Sequence, residues 1–172
     1  MKTRLTEKTS SRQCTPLYQP SLKSGEGIKI EKSITIHRPP AEVYSFWRQF
    51  ENLPRFMDHL ESVTRTGDCT SHWVMRTSAG KQLEWDARII EEKPNEMISW
   101  QSLEGADIDN AGSVWFTSTA DGRGTIVKVS MKYSPPGGKV VAVLAKVFGD
   151  SGEKNLEEDL ARFKNLLERG NV

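Results

Sequence analysis

The chain has 172 residues, of which 36% are hydrophobic and 27% charged, and its formal net charge is +1 at pH 7. These values predict one soluble globular domain with a tail and exclude a chain that is disordered throughout. The balanced charge disfavours a nucleic-acid partner, and the longest uncharged apolar run, Val140–Ala145, is too short to span a membrane.

Residues 1–26 are predicted to form a disordered polar tail, and residues 27–170 a single domain. Residues 1–25 carry five basic side chains against one acidic residue, Glu7, and lack the apolar stretch of a secretory signal. A transit peptide is the alternative, although the leucines are too sparse for an amphipathic helix. Because Cys14 and Cys69 lack paired spacing, we expect two free thiols in a reducing compartment and predict a cytoplasmic location.

The ordered part begins with a predicted strand, because isoleucines at positions 28, 30, 34 and 36 alternate with polar residues. After Pro39 and Pro40, apolar residues at i, i+3, i+4 and i+7 from Val43 predict a helix with one apolar face. Pro54 interrupts this pattern, and apolar residues between positions 53 and 60 predict a second short helix behind it.

Six strands are predicted next, because apolar and polar residues alternate between turn motifs rich in Gly, Pro, Asn and Asp. The stretches are Val63–Thr66, His72–Thr77, Leu83–Ile89, Met97–Ser102, Val114–Thr119 and Val127–Lys132. Gly105–Gly112 is predicted to be a turn-rich connection, and Asp107–Asn110 within it a polar turn rather than a calcium loop. The regular spacing favours one antiparallel meander.

The C-terminal part is predicted to be helical. Lys139–Phe148 is apolar nearly all round, and after Gly149–Gly152 an apolar stripe with a charged opposite face runs from Leu156 to Leu167. A helix of this kind lies on a sheet. The pattern therefore predicts a curved antiparallel sheet that faces a long C-terminal helix, with a hollow between them.

Several segments together point to a known family: Ile36–Tyr44, Phe46–Arg48, Asn52–Met57, His59–Val63, Trp85–Ala87, Asn95–Trp100 and Asn110–Val114. Over residues 28–170 the chain resembles the polyketide cyclase/dehydrase and coenzyme Q-binding START-like group of the SRPBCC superfamily, which includes birch pollen allergen-like proteins. The resemblance implies an α+β helix-grip fold, in which a curved antiparallel sheet is wrapped around a long C-terminal helix and two short helices follow the first strand. It also implies an internal cavity for a lipid, a quinone or a polyketide-like molecule, with cyclisation catalysed by some members.

The candidate ligand-binding residues are large apolar side chains that strand parity and helix position direct toward the hollow. They are Trp47, Phe56, Trp73, Met75, Trp85, Trp100, Phe116, Val129, Met131, Leu144, Phe148 and Phe163. Apolar side chains of this size bind apolar ligands because burying each one stabilises by roughly 1.5–3 kcal/mol. The alternative is that they only pack the core. Trp115 is out of phase with its neighbours and is predicted to face away.

The polar clusters are interpreted as structural. Glu84 and Asp86 share a strand face, for which we favour a solvated surface with ion pairs over acid–base chemistry. His37, His59 and His72 lack metal-ligand spacing, so no metal is expected, and only His59 is a candidate for the cavity mouth. No catalytic motif of the cyclases matches the chain, so neither a catalytic residue nor a cofactor is predicted.

We therefore predict a protein that binds or transports a small hydrophobic ligand in an internal cavity. One alternative is a polyketide cyclase or dehydratase, which would need a polar acid–base group in the hollow. Another is an accessory module for protein interaction. Lys139–Phe148 is interpreted as the buried end of the packing helix, with a cavity gate or a transient membrane contact as alternatives. No nucleic-acid partner is expected, and the oligomeric state is left open.

Overall fold

Seven antiparallel strands form one curved sheet in the computed structural model, which describes residues 27–77, 79–134 and 152–170. The strands are β1 (Ile28–Ile36), β2 (Leu60–Arg65), β3 (Thr70–Arg76), β4 (Gln82–Lys93), β5 (Met97–Ser102), β6 (Asp109–Ser118) and β7 (Thr125–Ser134). Their order across the sheet is β1-β7-β6-β5-β4-β3-β2. The six later strands are thus a meander, and β1 pairs with its last strand.

Two α-helices and one 3-10 helix accompany the sheet: α1 (Pro40–Arg48), the 3-10 helix (Phe50–Arg55) and α2 (Gly152–Glu168). Pro40 occupies the first turn of α1, where its missing N–H removes no helical hydrogen bond. The apolar stripe of α2 is buried and packs next to β1. The terminal helix therefore covers one face of the sheet, which we call the inner face.

Strand alternation explains why only the inner face carries the core. In β7, Val127 and Val129 are buried whereas Ile126 and Lys128 are exposed. This period of two is what a sheet with one covered face requires. Alternate residues of the neighbouring strands point inward in the same way. Together they create a continuous apolar surface beneath α1 and α2.

Two local expectations differ from the structure. The second helix is a 3-10 helix that contains Pro54 instead of following it, and Leu60 starts β2. β6 begins at Asp109 rather than near Val114, so that half of the predicted turn Asp107–Asn110 is strand. Pairing with β7 along all ten residues of β6 outweighs the weak strand propensity of the Asp-Asn-Ala-Gly sequence.

Part of the sequence prediction falls outside the described residues. This holds for residues 1–26 and for Lys139–Phe148, so the disordered tail and the role of the apolar segment stay predictions. Cys69 is disulfide-bonded, and the expectation of a free thiol at this position is wrong; Cys14 lies outside the described residues. Within the described ranges, no helix has the length and apolarity needed to cross a membrane.

Candidate ligand-binding cavity

A cavity of about 120 Å³ lies between the inner face of the sheet and the first turns of α2. Its lining comes from β1 and β3 to β7 of the sheet, from α1 and the 3-10 helix, from the segment 57–60 and from α2. The position is the hollow between sheet and helix that the sequence pattern predicts.

Aromatic rings make up much of the wall. Four of the five tryptophans line the cavity: Trp47, Trp73, Trp85 and Trp100. Trp73 and Trp85 are paired across β3 and β4, with ring centroids 5.8 Å apart and ring planes 17° from parallel. The indole N–H of Trp73 donates to Ser71 Oγ at 2.8 Å, so it is satisfied within the wall. The indoles therefore present flat apolar surface to the cavity.

Flexible apolar side chains fill the spaces between the rings. Met57, Met75 and Met131 line the cavity, and their unbranched thioether side chains adapt to irregular shapes. The remaining apolar lining consists of Ile30, Phe50, Leu53, Leu60, Ile108 and Leu156. The wall between the rings is therefore apolar and adaptable in shape.

Five polar side chains also reach the cavity: His59, Asn110, Tyr133, Asn155 and Asp159. Asp159 is a carboxylate with only 8% of its surface exposed. Desolvation by burial raises the pKa of Asp159, against the lowering effects of the Arg162 guanidinium, of His59 and of the Asp58 amide. A carboxyl group with a raised pKa beside a cavity is a candidate proton donor or acceptor.

Arg162 fixes the position of this carboxylate. Its Nη2 donates to Asp159 Oδ1, its Nε donates to the carbonyl oxygen of Phe56 at 2.9 Å, and its Nη1 lies 3.2 Å from Asp58 Oδ2. One side chain of α2 thus ties the helix to residues 56–58. Asp159 is thereby held next to this segment.

Two further polar groups are held from the sheet side. Burial raises the pKa of the Tyr133 hydroxyl, so this group stays protonated at neutral pH. The backbone N–H of Asn110 donates to Ser102 Oγ at 2.9 Å, and its Nδ2 donates to the carbonyl oxygen of Ile108 at 3.1 Å. The cavity therefore combines an apolar body with a few fixed polar groups, as is common in small-molecule sites.

Six of the twelve predicted lining residues are found in the cavity wall: Trp47, Trp73, Met75, Trp85, Trp100 and Met131. His59, the candidate for the cavity mouth, also lines the cavity. That any of these side chains contacts a ligand stays a prediction.

Four of the other predicted lining residues do not line the cavity. Phe56 and Phe163 are fully buried and stack with ring centroids 4.5 Å apart, so they fill the space between the 3-10 helix and α2. Phe116 and Val129 are buried on the inner face but outside the lining. Predicted lining residues Leu144 and Phe148 lie outside the described residues.

The predicted site residues do not include Asp159, although its position in the sequence indicates that it is buried. It lies three residues after Leu156 and four before Phe163, within the apolar stripe of α2. An acidic residue within the apolar stripe of a packed helix is expected to be buried with it. Tyr133 continues the inward parity of Val129 in the same way.

The outer face of the sheet agrees with its interpretation as a solvated surface. Glu84 and Asp86 are exposed there, and His72 Nδ1 lies 2.9 Å from Asp86 Oδ1. Trp115 faces away from the cavity, as predicted, with Lys128 Nζ 5.9 Å from its ring centroid. The acidic pair therefore lies on the face opposite the cavity.

Fold and cavity define a class of small helix-grip proteins with an internal apolar cavity. Residues 36–161 match the family described as polyketide cyclase / dehydrase and lipid transport, and the chain belongs to this family. An uncharacterised 17.2 kDa protein of Streptomyces lincolnensis is 33% identical over 142 residues, which cover 81% of this chain and 89% of that protein.

Solved structures share the architecture. The Zhui aromatase/cyclase from Streptomyces sp. R1128 matches with a TM-score of 0.68 at 17% identity, over 86% of this chain and 97% of that one. A START superfamily protein from Mycobacterium smegmatis matches with a TM-score of 0.65 at 11% identity, over 82% of this chain and 97% of that one. These likenesses confirm the predicted helix-grip, START-like fold. The family supports either ligand binding or a cyclase role.

Proposed function

We propose that this protein binds or transports a small hydrophobic ligand, such as a quinone, a lipid or a polyketide-like molecule, in the cavity beneath α2. The observation that carries the proposal is an apolar wall of four indoles and three methionines around about 120 Å³ of space. Side chains that face a void lose dispersion contacts on one side. A bound apolar ligand restores those contacts and is itself removed from water.

The proposal is tested with a panel of lipids, quinones and aromatic polyketide-like compounds. We expect at least one class to raise the melting temperature, and native mass spectrometry after purification without detergent to reveal a ligand extractable into organic solvent. A protein that is empty in mass spectrometry, and that no compound stabilises, would contradict the proposal.

A pair of variants on α2 makes the test specific to the cavity. Asn155 lines the cavity and is partly exposed, so Asn155→Trp places an indole at the cavity opening without overpacking the core. Asn165 is exposed on the same helix and does not line the cavity. We expect Asn155→Trp to lose ligand-induced stabilisation and Asn165→Trp to retain it.

The second candidate function is a cyclase or dehydratase, and Asp159 favours it. A carboxylate with a raised pKa can take a proton from the carbon between two carbonyl groups of a poly-β-ketone. The carbanion then attacks a carbonyl carbon of the same chain, and the proton returns to the resulting alkoxide. The apolar cavity would hold the chain in a folded, reactive conformation.

This enzymatic alternative has its own test. A poly-β-ketone incubated with the protein should give a cyclised product by liquid chromatography, and Asp159→Asn should abolish it while the variant still binds ligand. If the wild-type protein gives no product above the uncatalysed background, the cyclase role is wrong and the binding role remains.

The location and the other partners stay predictions of the binding proposal. It expects no nucleic-acid partner. The cytoplasmic location stays an untested prediction, and the disulfide at Cys69 removes the free-thiol argument for it. Lys139–Phe148 stays interpreted as the buried end of the packing helix, with a transient membrane contact as an alternative. Fractionation of cells and sedimentation with vesicles would test these expectations.

A further inference from the structure

Trp100 and Gly112 form an unusual pair in the cavity wall. They are direct partners across β5 and β6 and lie on the inner face, in phase with the buried Ile98 and Val114. Trp100 lines the cavity. A glycine therefore faces a tryptophan directly across the two strands.

The glycine is required by space rather than by backbone conformation. A Cβ on Gly112 would lie 2.4 Å from Cζ2, 2.8 Å from Cη2 and 2.9 Å from Cε2 of Trp100, whereas the φ of Gly112 is not positive. The six-membered ring of the indole therefore lies against the bare backbone of β6. Any side chain at position 112 would push the indole away from the sheet, toward the cavity.

The other three indoles of the wall are held by ring contacts. Trp73 and Trp85 stack on each other, and Trp47 lies 5.3 Å from Phe163 between ring centroids. In the wall as described, Trp100 is the indole whose position is set by a missing side chain on the opposing strand. An indole pushed off Gly112 would therefore take up part of the cavity.

We infer that Trp100, seated against Gly112, sets the upper size limit of the ligand, and that the cavity takes a guest the size of one aromatic ring. This inference rests on the proposed function. The volume of about 120 Å³ supports it, because an engineered protein cavity of about 150 Å³ binds benzene. Fused-ring guests require the indole to move or to be removed.

The test compares toluene and naphthalene as one-ring and two-ring probes, with affinities from calorimetric titration. The wild-type protein is expected to bind toluene at least tenfold more tightly than naphthalene. Trp100→Leu enlarges the cavity and should reverse this preference. Gly112→Ala should weaken toluene binding at least tenfold, and should have no such effect in the Trp100→Leu background, where no indole is displaced.

Trp115→Leu is the matched control, because Trp115 lies on the outer face and does not line the cavity. Its preference between the two probes should equal that of the wild type.

If Gly112→Ala fails to fold, the ratio of probe affinities in Trp100→Leu tests the size limit. If Trp100→Leu binds toluene and naphthalene with the same ratio of affinities as the wild type, the size limit is overturned and the proposed function stays intact. If neither probe binds to the wild type or to Trp100→Leu while a larger member of the ligand panel does, the size limit is wrong; if no compound of either set binds, the proposed function is wrong as well.

Discussion

Asp159 shows how burial acts on a single residue at the cavity. Burial raises the pKa of this carboxyl group above its ordinary value of 3.8, in spite of the ion pair with Arg162. The folded state therefore holds the proton more tightly than the unfolded state, and the free energy of unfolding contributed by Asp159 falls as the pH rises through the window above 3.8.

Asp159→Asn tests this sign, because the amide keeps the shape and cannot ionise. The difference in free energy of unfolding, wild type minus variant, should decrease between pH 3 and pH 7 in urea titrations. A difference that grows with pH would mean that pairing with Arg162 outweighs burial, and the raised pKa would be contradicted.

Glu92 is a second buried acidic residue, and it joins α1 to β4. Its Oε1 accepts a hydrogen bond from the Tyr44 hydroxyl and lies 2.6 Å from Arg48 Nε. Burial, followed by the contact with Glu92, raises the pKa of Tyr44, which therefore remains a donor at neutral pH. The carboxylate is thus the common acceptor for two side chains of α1.

Removing the charge of Glu92 should lower the free energy of unfolding more than removing the hydroxyl of Tyr44. Glu92→Gln leaves the half-buried Arg48 without its counter-charge and should lower the free energy of unfolding by about 3 kcal/mol. Tyr44→Phe removes one hydrogen bond and should cost about 1 kcal/mol. Chemical denaturation of both variants gives the comparison; a smaller loss in Glu92→Gln would show that the ion pair does not hold α1 in place.

At the scale of elements, the end of α2 is fastened to the loop after β1. The backbone N–H of His37 donates to Glu168 Oε1 at 2.8 Å, and Arg38 Nε donates to the carbonyl oxygen of Leu167 at 3.1 Å. The hydrogen bond from the His37 amide is the main cause that lowers the pKa of Glu168. The stability it contributes is present above the ordinary carboxyl pKa of 4.5 and is lost as the pH falls below that value.

Glu168→Gln should therefore destabilise the protein by about 1 kcal/mol at pH 7 and by less at pH 3. Glu158→Gln is the control on the same helix, since Glu158 is exposed and its partner is Lys154 four residues earlier; it should change stability by less than about 0.5 kcal/mol. Thermal melts at the two pH values measure both effects. An equal loss at both values would exclude the carboxylate as the cause.

The elements differ in how well the sequence predicts them, and the reasons are physical. β1 and β5 have the predicted bounds because alternation with a period of two is a local property of the chain. The first half of β6 is not predicted, because its composition does not encode its pairing with β7. For the cavity, parity predicts which side chains point inward, but not that Phe56 and Phe163, over one hundred residues apart, stack and fill the space between them.

For the whole molecule, the cavity connects function with stability. The side chains around this space of about 120 Å³ lack dispersion partners on one side. Filling that space with protein atoms should therefore stabilise the fold and remove the proposed ligand site at the same time. Met131 is suited to this change, because it is half-buried, lines the cavity and lies on β7 opposite Gly112.

Met131→Phe is expected to raise the free energy of unfolding by about 1 kcal/mol, within the usual range for filling a cavity. It should also lose the increase in melting temperature that a ligand gives the wild-type protein, because the phenyl ring occupies the ligand's space. Met97→Phe is the control: Met97 is paired with the outward-facing Trp115 and does not line the cavity. This variant should keep the wild-type response to ligand. A Met131→Phe variant with a full ligand response would contradict a ligand position next to Met131, since the added ring atoms and the ligand cannot share the same volume.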